Sequence, residues 1–404
     1  MPNPNTNFKG SDGVDLGNKL ITKEYLMTVY PQIANQLITP ELWTWGRNFF
    51  GQLGDNTTTN RSTPVTTFAG GTNWKQVACG NSHTAAIKTD GTLWVWGRNA
   101  YGELGINNTT QRNTPVTTFA GGTNWKQVAC GLFTTEAIKT DGTLWVWGRN
   151  SSGELGDNTT IARSTPVTTF AGGTNWKQVA CTNTFSTAIK TDGTLWTWGI
   201  NNIGQLGDNT TVNRSTPVTT FAGGTNWKQV ACAFEITAAI KTDGTLWTWG
   251  RNTNGKLGTN DTTNRSTPVT TFAGGTNWKQ VACSDNNARA IKTDGTLWTW
   301  GRGLFGVNGD NTTVDRSIPV TTFAGGSNWK QVYSSTNSST AAIKTDGTLW
   351  LWGINVYGQL GINDTIISRS TPVTTFAGGT DWKQISFGTD HMAAIQTSDD
   401  LQGI

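Results

Sequence analysis

Hydrophobic and polar residues alternate in short stretches along most of the chain, which predicts many brief β-strands. The pentapeptide L-W-x-W-G shows the alternation clearly and occurs seven times. Its copies begin at Leu42, Leu93, Leu144, Leu195, Leu246, Leu297 and Leu349, in five steps of 51 residues and one of 52. A fixed period of this length predicts a repeat architecture in which each unit buries its apolar face against its neighbours.

Each repeat contains four candidate strands, which are W-K-Q-V-A-C, A-I-K-T, T-L-W-x-W-G and P-V-T-T-F. The dipeptide Asp90-Gly91 predicts a type I′ hairpin turn, and Pro115 is expected to begin its strand. Seven units of four antiparallel strands predict an all-β, seven-bladed β-propeller. The N-terminal end supplies L-W-x-W-G without A-I-K-T, and residues 393–397 supply the reverse. One blade is therefore expected to combine both ends and close the ring.

Composition narrows the function classes. The 21 Trp occur three to a repeat, which favours a role in core packing over a role in a functional site. The net charge of +4 is spread through the repeats without a basic block, so nucleic acid is not an expected partner. No apolar run reaches about 18 residues and the chain starts without a signal peptide, which predicts cytoplasmic synthesis and no membrane insertion.

Candidate chemistry is sparse. The five Cys share one position in successive repeats, so we expect buried free thiols that lie far apart. No C-x-x-C pair, P-loop, nucleophile elbow, zinc set or calcium loop is present, and we predict neither enzyme activity nor a cofactor or metal. His83 and Asp390-His391 are expected to make structural hydrogen bonds.

Three motifs resemble a known repeat family. These are W-G-x-N-x-x-G-Q-L-G (Trp45 to Gly54), V-A-C-G-x-x-H (Val77 to His83) and A-I-K-T-D-G-T-L-W-x-W-G. They resemble the regulator-of-chromosome-condensation repeat over about nine-tenths of the chain, which implies a seven-bladed propeller. Similar propellers serve as nucleotide-exchange factors, an ultraviolet photoreceptor, ubiquitin-ligase modules and a β-lactamase inhibitor. The resemblance therefore implies a fold and no single activity.

Two windows differ between copies that are otherwise nearly identical, one after W-G and one after V-A-C. Strand direction places both at one face of the disc. Their apolar and aromatic members predict a binding surface: Phe49, Phe50, Tyr101, Phe133, Phe185, Ile203, Phe234, Phe305 and Tyr357. Arginine follows W-G in five copies, at Arg47, Arg98, Arg149, Arg251 and Arg302. The alternative is drift at loop positions that tolerate change.

Residues 1–40 precede the propeller of residues 41–404 and form a separate predicted segment, an attachment arm. A short helix is predicted from Lys23, with apolar positions at Tyr25, Leu26, Val29 and Tyr30. The stretch VDLGNKLITKEYLMTVYPQI is similar to leaders of virion proteins from tailed phages of marine bacteria.

These features lead to one hypothesis and one alternative. The hypothesis is a non-enzymatic virion protein of a phage tail or fibre, present in the virion. Its arm would bind other virion proteins, and its loop face would bind a host-surface glycan or protein, or another virion protein. The alternative is a soluble protein-binding module, such as an enzyme inhibitor or an exchange factor.

Overall fold

The computed structural model describes residues 38–335, 338–364 and 368–399. Residues Pro40–Gln396 form one compact unit. The predicted helix with Tyr25, Leu26, Val29 and Tyr30 lies outside the described residues. None of the helices in the described ranges is long and apolar enough to cross a membrane.

The described residues form seven antiparallel sheets of four strands each, which confirms the predicted seven-bladed propeller. The first strands are Trp74–Cys79, Trp125–Cys130, Trp176–Cys181, Trp227–Ala233, Trp278–Cys283, Trp329–Ser334 and Trp382–Phe387. The second strands are His83–Lys88, Thr134–Lys139, Phe185–Lys190, Ile236–Lys241, Asn287–Lys292, Ser339–Lys344 and His391–Asp399. The third strands are Ile38–Gly46, Leu93–Gly97, Leu144–Gly148, Leu195–Gly199, Leu246–Gly250, Leu297–Gly301 and Leu349–Ile354. The fourth strands are Arg61–Thr66, Arg112–Thr117, Arg163–Thr168, Arg214–Thr219, Arg265–Thr270, Arg316–Thr321 and Ser368–Thr374.

Blades 1 to 6 are numbered from the first strands that begin at Trp74, Trp125, Trp176, Trp227, Trp278 and Trp329. Two 3-10 helices, Thr253–Gly255 and Leu304–Gly306, lie in the loops of blades 4 and 5. Blade 7 contains both ends of the propeller, in the strand order Arg61–Thr66, Ile38–Gly46, His391–Asp399, Trp382–Phe387. The predicted closure by N- and C-terminal strands is confirmed.

The hairpin turns and the fourth strands differ from expectation. Among the residues of the first T-D-G-T turn, Gly91 has a positive φ of 80° whereas Asp90 does not, so the turn is not type I′. The Gly91 N–H donates to the Lys88 carbonyl and the Lys88 N–H to Thr92, which is a type I turn followed by a glycine bulge. The fourth strand of blade 1 begins at Arg112, upstream of Pro115, because an outermost strand tolerates a missing N–H.

Tryptophan and glutamine join each blade to the next. The second Trp of every L-W-x-W-G is fully buried or nearly so, and the Trp96 indole N–H donates to the Gln52 carbonyl of the preceding blade at 2.9 Å. Gln76 of W-K-Q donates to the Val128 carbonyl of the following blade at 3.0 Å and accepts the Val128 N–H at 2.9 Å. The same pair of bonds recurs at the other junctions except between blades 6 and 7, where Gln331 accepts from the Tyr333 hydroxyl instead. At the remaining junctions a neighbour's side chain satisfies the edge of the first strand.

The first strands line a channel through the centre of the ring. The five thiols line one chamber of this channel, whose volume is about 110 Å³, together with Ser334 and Phe387. The expectation that the cysteines lie far apart was wrong, because one position repeated in the innermost strands converges on the ring axis. They are free thiols, and burial raises the pKa of Cys79 to about 12.

The face that carries the T-D-G and A-G-G turns is nearly invariant between repeats, and we call it the constant face. Each A-G-G turn follows an exposed Phe, and the side chains of these residues form a phenylalanine ring at the rim of this face. Its members are Phe68, Phe119, Phe170, Phe221, Phe272, Phe323 and Phe376, each 63–66% exposed.

Candidate binding face

Both variable windows lie at the face opposite the constant face, which we call the variable face. The second strand of blade 1 begins at His83 directly beside Gly97, where the third strand ends. The Arg98 N–H donates to the Ser82 carbonyl at 2.8 Å, and the same contact recurs as Arg47 to Asp390 in blade 7. Loops from both windows therefore form one continuous surface.

A buried polar side chain beneath the first window fixes the loop above it. This side chain occupies the second position of G-Q-L-G. Its oxygen accepts the N–H of the residue two positions earlier, as Gln52 does from Phe50 (2.9 Å) and Glu103 from Tyr101 (2.7 Å). Gln359 holds Tyr357 in the same way at 2.8 Å. Sequence reasoning missed this position, although the alternation of Gln, Glu and Lys at one point of the repeat was a visible signal.

Aromatic rings and guanidinium groups make a series of contacts over blades 7, 1 and 2, and a further pair lies beside it over blades 6 and 7. Arg98 lies at the centre, with its Cζ 4.7 Å from the ring centroid of Phe133, 5.2 Å from Tyr101 and 5.9 Å from Phe50. Tyr101 and Phe133 also pack edge to face at 5.5 Å. These distances are typical of cation–π and aromatic pairs.

The series extends to both sides of Arg98. Arg149 of blade 2 lies 5.8 Å from the Phe133 ring, Phe49 and Phe50 of blade 7 pack at 4.9 Å, and Arg47 lies 5.5 Å from the ring of Tyr357 in blade 6. We call this set the aromatic–arginine arc. Its members are Tyr357, Arg47, Phe49, Phe50, Arg98, Tyr101, Phe133 and Arg149.

Each arginine of the arc has a carboxylate partner. Arg47 pairs with Asp390 at 3.2 Å, Arg98 with Glu103 at 3.4 Å and Arg149 with Glu154 at 3.6 Å. Burial raises the pKa of Glu103 and Glu154 even though an Arg lies beside each. Because each arginine has a carboxylate beside it, the arc is close to electrically neutral. Its exposed area is mainly aromatic.

The remaining predicted residues lie elsewhere and differ in exposure. Phe185 is fully buried and cannot contribute to a surface, because its side chain points into the core from the start of a second strand. Ile203 and Phe305 are half-buried, and Phe234 is 39% exposed. Arg251 pairs with Glu235 at 2.8 Å. Arg302 has no ion pair among the described residues.

Blades 4 and 5 carry a different, charged cluster. Lys256 replaces the Gln or Glu beneath the loop, and its ammonium donates to the Asp285 carbonyl at 2.6 Å. Burial lowers the pKa of Lys256 to about 8 and raises that of Asp285 to about 6. The variable face is therefore asymmetric, with aromatic contacts in one sector and buried charges in another.

The two histidines lie between blades. His83 and His391 are buried, and their Nε2 atoms are 3.0 Å from Thr135 Oγ1 and 3.1 Å from Thr84 Oγ1 of the next blade. Burial lowers the pKa of both to about 3. In the described part of the chain, no group of three or more Asp, Glu, His or Cys side chains is arranged to hold a metal ion.

A closed ring of seven blades with diversified loops on one face defines a β-propeller of the kind that presents a loop surface to partners. Residues 160–403 match the RCC1-like domain, and residues 41–87 and 90–138 match the regulator of chromosome condensation (RCC1) repeat. The chain belongs to the RCC1-like propeller family, as the sequence motifs indicated.

Relatives of the chain have varied roles. It is 33% identical to the ultraviolet-B receptor UVR8 of Arabidopsis thaliana over 69% of its length, and it spans 64% of that receptor. It is 26% identical to the mitochondrial RCC1 domain-containing protein RUG3 of the same plant, covering 87% of this chain and 86% of that one. Prp20p of Saccharomyces cerevisiae, whose structure was described with its binding to Gsp1p and histones, superposes with a TM-score of 0.77. The identity is 17%, over 90% of this chain and 93% of that one, so this likeness concerns the fold.

Proposed function

We propose that the chain is a non-enzymatic protein-binding module and that its partner contacts the aromatic–arginine arc. The observation that carries the proposal is the packing of Arg98 against Phe50, Tyr101 and Phe133, which joins three consecutive blades. Arg47 and Tyr357 form a second aromatic–arginine pair beside it. Aromatic and Arg side chains dominate the energetic centres of protein interfaces. Because the arginines are already paired with carboxylates, the aromatic area supplies most of the affinity.

Two features favour a discrete protein partner. The arc occupies one sector of the face, as expected for a single docked molecule. The polar shelf of Gln52, Glu103 and Gln359 holds the loop backbone before any partner arrives, which lowers the entropy cost of binding. Prp20p, a structural relative, has been described with protein partners. These points support the soluble-module alternative over a glycan-binding ring.

Matched variants at two repeat positions test the proposal. Phe49→Ala and Tyr101→Ala remove exposed rings of the arc, whereas Asn202→Ala and Asn254→Ala change the same two repeat positions in blades 3 and 4. Partners captured by the full chain are quantified by mass spectrometry, and the affinity of a purified partner is measured by calorimetry. Each arc substitution should weaken binding about thirtyfold or more, as hot-spot residues do, with both controls unchanged. Equal binding by arc and control variants refutes the assignment.

The virion hypothesis is a finer version of this proposal and rests on the sequence of residues 1–40. In that version the arm anchors the chain among other virion proteins, and the arc meets a host-surface protein or glycan. Removing residues 1–40 should then abolish incorporation into particles while leaving capture of the arc's partner intact. Incorporation without the arm would contradict the virion hypothesis alone.

A further inference from the structure

The phenylalanine ring is a second set of exposed apolar side chains, separate from the arc. Its members occupy one repeat position in all seven blades, and their exposure varies only between 63% and 66%. The adjoining Gly70 and Gly71 face open space, since a Cβ at either position would meet nothing within 4 Å. Each Phe side chain therefore lies close to a pair of glycines, which add no side chain around it.

The seven side chains together expose a considerable apolar area. A Phe side chain presents on the order of 200 Å², so each member leaves about 130 Å² in water and seven leave about 900 Å². The area here is divided among seven separate positions in a ring, so it suits a broad, uniform partner better than a single compact protein epitope.

The charges of the constant face favour an anionic partner. Each W-K-Q tract contributes an exposed Lys, such as Lys75, and six further lysines of the Lys88 type lie over the two indoles of their blade. Among the residues whose side chains the structure describes, the carboxylates on this face are the six of the Asp90 type, Asp381 and Glu41. Within that set, thirteen lysines outnumber eight carboxylates.

We propose that the constant face docks on the surface of an anionic lipid bilayer. The seven Phe side chains would enter the interface between headgroups and acyl chains, and the surrounding lysines would contact the lipid phosphates. The equivalence of the blades places the seven rings in one plane, which matches a flat bilayer. A second copy of the chain is also sevenfold, but face-to-face docking would oppose two basic surfaces. This surface is separate from the arc and does not depend on the protein-binding proposal.

Vesicle co-sedimentation of the full chain tests this assignment. The probes are vesicles of phosphatidylcholine alone and vesicles in which about a third of the lipid is phosphatidylserine. We expect binding to the anionic vesicles that weakens as salt is added. The combined variant Phe119→Ser, Phe170→Ser and Phe221→Ser should reduce binding about tenfold for each Phe removed. The reason is that about half of the exposed area of each Phe side chain would leave water on binding, and this contribution is lost.

Two controls separate the contributions of the rings and the lysines. Ile161→Ser removes an apolar side chain of similar exposure (62%) that belongs neither to the phenylalanine ring nor to the arc, and it should leave vesicle binding unchanged. Lys126→Gln, Lys177→Gln and Lys228→Gln combined should weaken binding to anionic vesicles and reduce its salt dependence. All substituted side chains are exposed, and circular dichroism confirms that each variant is folded.

Several results would overturn the proposal. These are no binding to anionic vesicles, binding that the triple Phe variant retains, or equal binding to both vesicle types. Dimerisation in sedimentation that the triple Phe variant abolishes, without vesicle binding, would assign the ring to a second copy. Binding of DNA that requires the lysines, without vesicle binding, would assign the face to nucleic acid.

Discussion

Glu136 of blade 2 is a buried carboxyl group whose charge should make the free energy of unfolding depend on pH. Its side chain is fully buried between blades 2 and 3, where Ser186 Oγ donates to Oε1, and Oε2 has no hydrogen bond within the described residues. Burial raises the pKa of Glu136 from about 4.5 to about 8. Four other blades carry Ala at this position, as Ala85 and Ala238 illustrate.

The sign and size of the effect follow from this pKa. Because the pKa in the folded state is the higher one, the folded protein holds an extra proton between about pH 4.5 and 8, and it loses stability as pH rises through that window. A shift of this size corresponds to about 5 kcal/mol above pH 8 and about 1 kcal/mol at pH 5. Glu136→Ala should therefore raise the free energy of unfolding by about 4 kcal/mol more at pH 8.5 than at pH 5.

Urea denaturation at the two pH values measures this difference. Glu136→Gln keeps the volume of the side chain and the contact with Ser186 and should show the same pH dependence as Glu136→Ala. Asp381→Asn, a change at the more exposed pair of Lys383 and Asp381, should alter stability by less than about 1 kcal/mol at either pH. If Glu136→Ala and the unmodified protein differ by the same amount at pH 5 and pH 8.5, the carboxyl group is not the source of the pH dependence.

Three further predictions concern the contacts between blades and the channel. Gln178→Ala removes both hydrogen bonds to Val230 and should cost about 2–4 kcal/mol in urea denaturation, because two buried backbone groups lose their partner, while the exposed Lys177→Ala should change little. His83→Thr introduces the residue that blade 2 carries at this position. Because the pKa of the buried His83 is lowered to about 3, the protein loses stability as pH falls from 6.5 to 3, and the variant's melting temperature should fall less over this range. An equal fall in melting temperature for both proteins would show that His83 titrates normally. A thiol reagent at pH 8 should label none of the five Cys in the native protein and all five after denaturation, since burial raises every thiol pKa; rapid labelling of native protein would show an open chamber.

Strand periodicity was enough to predict the fold because each unit repeats the same local signals. The alternation of L-W-x-W-G and the complementary chain ends specify four-stranded blades and their closure, and both are confirmed. The turn type was missed because Asp90 Oδ1 accepts the Thr92 N–H at 2.9 Å in a turn that needs positive φ at glycine alone. Equivalent positions in the first strands were expected to stay apart, yet an innermost strand brings them together around the axis.

The candidate site could be predicted only as a set of loops. Sequence spacing indicated which residues vary, and the structure places Tyr101, Phe133 and Arg98 in contact. The sequence spacing could not indicate that Phe185 points inward. The first residue of the second strand is buried in every blade whatever its type, so its residue type does not reveal its burial. The phenylalanine ring was overlooked because an invariant Phe in a strand-like tract is normally a core residue.

Because blade 7 contains strands from both ends of the propeller, the ring could be opened at a different point in the sequence. The strands Ile38–Gly46 and His391–Asp399 are hydrogen-bonded neighbours. They are the third and second strands of blade 7, and in blades 1 to 6 a T-D-G-T turn connects these two strands. Joining Gln396 to Leu42 by a T-D-G-T linker, in place of the residues before and after them, would close the backbone into a circle. Opening that circle at the T-D-G turn of another blade would give a circular permutant. The order in which the blades are synthesised could thus be changed while every contact between them is kept.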